Sequence, residues 1–205
     1  SCTADEEIPS NGAIPEGEEV MIRCALSVPF ARTAPVTRVQ LEEEMAINTL
    51  QLLVFQDGVY KYSADLSGIN TSNGETTFYA KVQTSSSVVT FYVIANADEA
   101  LANFELTVGL SEGEVIRGIR ESVQTTGIYS AFPMSGKFTF SEGLDMDIAK
   151  TPIEIKLLRA VARVDLSMEP NVTNFRIATI QAFRVNSEIQ VMPNDLPDFR
   201  NPVVH

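Results

Sequence analysis

The sequence contains one histidine, His205, at its last position, and no tryptophan. Serine, cysteine and threonine nucleophiles need a base beside them, so a chain with one terminal imidazole holds no Ser-His-Asp or Cys-His arrangement and no histidine zinc site. Basic residues are also scarce: 15 Lys and Arg stand against 27 Asp and Glu, a formal net charge of −12. Phosphate backbones are bound by basic surfaces, so nucleic acid is excluded as a partner. No apolar run reaches the roughly 18 residues of a membrane-spanning helix. What is present is the make-up of a globular protein, 44% hydrophobic and 20% charged over 205 residues, which suffices for one large domain or two small ones.

Cysteine is limited to Cys2 and Cys24. Cys2 follows Ser1 and precedes the polar, acidic run Thr3-Ala4-Asp5-Glu6-Glu7. A small residue, a cysteine and a flexible acidic tether are arranged in this way at the processing site of a bacterial lipoprotein, which marks Cys2 for lipidation; a plain terminus that holds a cysteine is the alternative. Several acyl chains on one cysteine would anchor the chain to a membrane. Residues 1–19, with Pro9, Gly12, Pro15 and Gly17 among acidic residues, read as a linker.

Strand signals start at Val20. Val20, Ile22, Cys24, Leu26, Val28 and Phe30 alternate with residues such as Arg23 and Ser27, the period-two pattern of a long, half-buried strand. It sets Cys24 on the apolar face as a packed thiol. Further strands are expected over Ile47–Phe55 and Val59–Leu66, joined by Asp57-Gly58, a tight-hairpin signal because both residues tolerate positive φ. Thr76–Val82 alternates, and Val88–Ala95 is apolar throughout, as in a central strand covered on both faces. Two helical segments follow, Asp98–Phe104 and Ser111–Val123, the second opening on a capping box of Ser111 and Glu114. Strands resume at Lys137–Phe140 and in the run Pro152–Met168. There the apolar parity changes between Ile153, Ile155, Leu157 and Leu158, Ala160, Ala162, which predicts a bulge or a strand passing between two sheets. Phe175–Val191 reads as a strand pair. Many short strands with little helix indicate a mainly β protein, a β-sandwich with one or two short helices inserted.

Chemistry-bearing groups are sparse. The acidic groups Glu42-Glu43-Glu44, Asp98-Glu99 and Asp145-Met146-Asp147 lie at element ends, where carboxylates solvate a surface or favour a helix N-terminus. Asp145, Asp147 and Glu142 are hard oxygen donors, but their spacing fits no calcium loop. The glycines form no phosphate-binding motif, and Asn171-Val172-Thr173 is a sequon of little meaning in a bacterial lipoprotein. Neither catalysis, metal nor cofactor has residues to support it.

Arg32 and Arg38 follow the first strand in a segment with Thr33, Pro35 and Thr37. They read as solvated surface groups, yet exposed loops of this composition are also where proteases cut. A cut there would separate the strand Val20–Phe30 from the remainder. Its six apolar side chains represent roughly 9–18 kcal/mol of burial as an upper bound. Its loss would open a groove and two unpaired strand edges able to receive another strand.

Three further stretches carry a resemblance: Phe91-Tyr92-Val93-Ile94-Ala95-Asn96, Phe132-Pro133-Met134-Ser135-Gly136 and Ile155-Lys156-Leu157-Leu158-Arg159-Ala160-Val161-Ala162-Arg163-Val164-Asp165. In this order, after Cys2, the strand Val20–Phe30 and Ile47–Phe55, the chain resembles the N-terminal domain of the fimbrillins, fimbrial subunits of Bacteroidales such as Porphyromonas and Bacteroides. The resemblance implies a transthyretin-like β-sandwich over residues 20–168, a flexible lipoprotein tether over 1–19, and, in 169–205, final strands and the start of a second domain. It also implies export as an outer-membrane lipoprotein, removal of the N-terminal strand by an arginine-specific protease at Arg32 with Arg38 in reserve, and assembly with other fimbrial subunits by strand exchange at the cell surface. No enzyme activity is expected. The alternative is a non-polymerising outer-membrane lipoprotein that binds glycan or host surface protein.

Overall fold

Two β-sheets face each other in the computed structural model, which describes residues 13–29, 45–72, 74–123, 130–161, 176–179, 181 and 186–194. In chain order the strands are β1 (Glu19–Ser27), β2 (Leu50–Gln56), β3 (Val59–Ser63), β4 (Asp65–Ser72), β5 (Glu75–Gln83), β6 (Val89–Ala95), β7 (Arg120–Ser122), β8 (Met134–Phe140), β9 (Ile153–Lys156), β10 (Leu158–Arg159) and β11 (Glu188–Gln190). Helices α1 (Asp98–Ala102) and α2 (Glu112–Gly118) follow β6, and a 3-10 turn, Ile148–Lys150, precedes β9. One sheet has the order β4-β5-β1-β9 and the other β10-β8-β6-β2-β3; β11 and β7 form a separate ribbon. The chain is thus mainly β, a sandwich with two short helices.

Side-chain periodicity explains the layers. In β1 and β5 alternate residues are buried, Val20, Ile22, Cys24 and Leu26 opposite Val82, Ala80, Phe78 and Thr76, because only one face of their sheet is covered. All seven residues of β6 are buried. Val89, Phe91, Val93 and Ala95 enter the core between the sheets, while Tyr92 and Ile94 enter a second core with Leu53 and Phe55 of β2, Tyr60 of β3, and Ala100, Val115, Ile116, Val191 and Met192. The molecule therefore has three layers, the third made of α1, α2 and the segment around β11.

Local chemistry sets the element ends. Asp57 and Gly58 adopt positive φ, 49° and 74°, as the β2–β3 hairpin requires. Ser111 and Glu114 make the capping box of α2, each side chain bonding the other's backbone. This helix stops at Gly118 rather than running to Val123, and β7 takes up the following residues. The Phe104 ring lies where a Gly118 side chain would project, so the chain can pass close under that ring only without a Cβ.

Further elements differ from the sequence expectation. Val59–Leu66 is two strands, since the backbone leaves the second sheet at Ala64 and enters the first as β4. β4 also extends to Ser72 through an almost wholly exposed, polar stretch that carries no hydrophobic periodicity. The parity change after Leu157 is a sheet crossover: β9 belongs to the first sheet and β10 to the second. Of Phe175–Val191, Glu188–Gln190 is the strand found among the described residues.

The three stretches that carried the resemblance meet at one end of the second sheet. Asn96 (φ 57°) donates through Nδ2 to the carbonyls of Ala46 (2.7 Å) and Phe132 (2.9 Å), and its Oδ1 accepts from the amides of Asn48 (2.8 Å) and Thr49 (3.4 Å). The Ala160 amide donates to Pro133 O at 2.8 Å. At Gly136 a Cβ would lie 2.6 Å from the Lys156 carbonyl oxygen, so glycine admits the crossover backbone against β8. Their shared role is architectural.

Candidate strand-release site

β1 lies inside its sheet, not at an edge. Nine antiparallel pairs, Glu19↔Gln83 through Ser27↔Glu75, join it to β5. Four parallel pairs, Cys24↔Ile153 through Ser27↔Lys156, join it to β9, and the Leu157 amide adds a bond to Ser27 O at 2.8 Å. The first of the described strands is therefore held between two strands that lie later in the chain.

Its inward side chains are central to the first core: Ile22 and Cys24 are 0% exposed and Leu26 is 1% exposed. Val20 and Val28 close the two ends of the row. The four aliphatic side chains alone bring about 6–12 kcal/mol of burial as an upper bound. That is the size of the whole net stability of a typical domain, about 5–15 kcal/mol. The first sheet depends on this position being filled, since β5 and β9 are joined through it.

The beginning of β1 is stapled to the β5–β6 connection. Thr84, fully buried, accepts the Glu18 amide on Oγ1 (3.0 Å) and donates the same hydroxyl to Pro15 O. Its backbone exchanges bonds with Glu18 O (2.9 Å) and the Gly17 amide (2.8 Å). Beside it, the amide of Ser86 donates to the Glu16 carboxylate at 2.6 Å, and the Ser86 hydroxyl donates to the same oxygen. Hydrogen bonds from Ser86 hold the Glu16 carboxyl below its ordinary value. On the exposed face of the sheet Glu19 pairs with Lys81 at 2.8 Å. Nothing in the sequence marked this staple, because Thr84-Ser85-Ser86-Ser87 reads as an ordinary polar turn.

Cys24 is a free thiol whose pKa burial pushes up to about 12. It is unreactive in place, since the thiolate is the nucleophile. Of the other residues singled out in the sequence, Phe30, Arg32, Arg38 and Cys2 lie outside the described residues, as do Glu42-Glu43-Glu44 and Asn171-Val172-Thr173. Asp145 caps the 3-10 turn by accepting from the amides of Asp147 and Ile148, and Asp147 pairs with Lys150 at 2.7 Å. Among the described residues no group of three or more acidic, histidine or cysteine side chains is placed to hold a metal ion, and no helix is long and apolar enough to cross a membrane.

Residues 25–144 match the family described as "Major fimbrial subunit protein (FimA)". Among solved structures, a protein of Parabacteroides distasonis assigned to cell adhesion is 20% identical, with a TM-score of 0.46 over 71% of this chain and 46% of its own. The tip fimbrial protein Mfa3 of Porphyromonas gingivalis, in a form with a C-terminal truncation, is 16% identical, with a TM-score of 0.42 over 70% of this chain and 49% of its own. A second Parabacteroides distasonis protein assigned to cell adhesion is 15% identical, with a TM-score of 0.42 over 70% and 41%. The matched part is less than half the length of each of these structures. No curated protein matches the chain significantly.

Proposed function

Because the chain belongs to the major fimbrial subunit (FimA) family, we propose that it is a structural subunit of a cell-surface fimbrium, matured by loss of β1. In this reading lipid on Cys2 delivers the precursor to the outer membrane. An arginine-specific protease then cuts the β1–β2 connection after Arg32, with Arg38 the reserve, and an extended strand of a neighbouring subunit takes the vacated position. Its partners are other fimbrial subunits, and it has no catalytic role.

The observation that carries this reading is the place of β1: first of the described strands yet interior to the sheet, between β5 and β9. One cut in the following connection separates β1 from the rest of the chain. Its departure leaves free backbone edges on β5 and β9, flanked by their inward side chains Phe78, Ala80, Ile153 and Ile155, over a core that includes Val54, Phe91 and Val93 of the second sheet. Such a position accepts a strand whose alternate side chains are apolar, with main-chain bonds giving affinity and pockets giving register. The two sheets' other members stay covalently continuous.

The test exposes the intact gene product to an arginine-specific protease and follows its N-terminus and size. A new terminus at Thr33, lost in Arg32→Ala, followed by a ladder of oligomers, is the expected result. A chain that is cut but keeps β1 and stays monomeric overturns strand exchange and leaves the non-polymerising, ligand-binding lipoprotein as the better reading.

A further inference from the structure

A short strand, β11, covers the outer face of the second sheet. β11 pairs antiparallel with β7, Glu188↔Ser122 through Gln190↔Arg120. Across this seam the Val123 amide donates to Ser187 O at 2.9 Å and the Val191 amide to Ile119 O at 3.2 Å. Val191 and Met192, both 0% exposed, then fill the outer core beside α2, and the Ser135 hydroxyl donates to Val191 O at 2.9 Å. Residues 187–192 form a strap separated from the end of β10 by 27 residues.

The seam is electrostatically mismatched. Glu121, opposite Ile189, has one carboxylate oxygen buried without a hydrogen-bond partner among the described residues. It borders a cleft of about 280 Å³ that Glu99 of α1 and Glu188 of β11 also line. Asp98 of α1 adds a further negative charge toward it. The nearby cation on its own strand is Arg120, whose Nε is engaged by the Arg117 carbonyl at the end of α2 (2.9 Å). A half-buried carboxylate facing like charges without a partner is held at a cost whenever it is ionised.

We infer that the strap is a pH-responsive element: protonation of Glu121 tightens its seat on β7, and ionisation loosens it. Burial first, then the charges of Glu99 and Asp98, raise the Glu121 pKa above its ordinary value of 4.5. Ile189 and Glu188 of the strap flank Glu121, so release opens its carboxyl to water, and a carboxyl whose value burial raises in the seated form binds its proton more readily there than in the released form. Seating is therefore weakest at neutral pH, strengthens as pH falls through the raised value, and gains nothing further below 4.5. Release uncovers the apolar outer face around Ile119, Ile94 and Leu53.

The test is amide hydrogen exchange at Val123 and Val191 in the full chain, expressed as protection relative to the intrinsic rate. At pH 7.5 Glu121→Gln, isosteric and uncharged, should raise protection at both amides by about fivefold or more, since the buried charge that faces Glu99 and Asp98 is gone. Below pH 4 wild type and variant should coincide. Glu99→Gln should move the wild-type rise in protection to lower pH, since one repelling charge is gone. Equal protection at pH 7.5, a difference that persists below pH 4, or loss of protection in Glu121→Gln would each overturn the inference.

Discussion

Removing one hydroxyl from the staple at the start of β1 tests how tightly the strand is held. Thr84→Val keeps the shape of a fully buried side chain and both backbone bonds to Gly17 and Glu18, and deletes the bonds to the Glu18 amide and the Pro15 carbonyl. A buried group left unpaired costs about 1–3 kcal/mol, but these two lie in an exposed segment where water reaches part of the gap, so the expected sum is about 1–2 kcal/mol. That corresponds to roughly a 5- to 30-fold rise in the population with β1 open. Cys24 supplies the readout, because its thiol is 0% exposed and held at about 12 while β1 is seated. With Cys2→Ser as background, the rate of maleimide labelling at Cys24 reports opening. Thr84→Val should label about 5- to 30-fold faster, and Thr84→Ser, which keeps the hydroxyl, should label close to the parent rate. If Thr84→Val labels no faster, the staple does not hold the strand and release must be governed by the β5 and β9 ladders alone.

Two further substitutions probe the end of the second sheet. Gly136→Ala places a methyl 2.6 Å from the Lys156 carbonyl oxygen and against Ile155 and Leu157; overpacking against backbone should lower stability by about 1–3 kcal/mol in urea denaturation, and an unchanged midpoint would refute the close-approach explanation. Asn96→Gly preserves the positive φ but removes the bonds to Ala46, Asn48, Thr49 and Phe132; a loss of about 1–3 kcal/mol with exchange protection falling first at Asn48 and Thr49 is expected, whereas uniform loss across β2 would assign Asn96 to the core instead.

Legibility followed the physics of each element. β1 and β5 were readable because one face of their sheet is wet, so burial alternates, and β6 because both of its faces are covered. Of the two readings of the parity change after Leu157, a bulge or a crossover, the crossover is the one found, since a strand that changes sheet must turn its other face inward. β4 was invisible: an edge strand of Asp, Ser, Asn and Thr is formed by pairing with β5, and its own composition gives no such signal. The parallel partnership of β1 with β9 also left no local trace, because it joins residues more than a hundred positions apart. The Thr84 staple and the Ser135–Val191 bond are specified by position in the fold, not by residue type, and Thr and Ser in those stretches look like solvent-facing turns.

Those same pairings separate two kinds of dependence on β1. The second sheet draws its order from β2, β6 and β8, which pair with one another across seven-residue ladders, and from the helices and strap on its far side. None of these contacts passes through β1. The first sheet is different: β5 and β9 meet only through the strand between them, so without β1 or a substitute they are no longer one sheet. The Asn96 clamp lies between these regimes, fixing residues 46–49 at the end of the connection that follows β1. Loss of β1 would therefore disorganise one sheet against a scaffold that persists. A persistent scaffold with one vacant strand position is what strand replacement requires, because the incoming segment then orders β5 and β9 alone and not the whole domain.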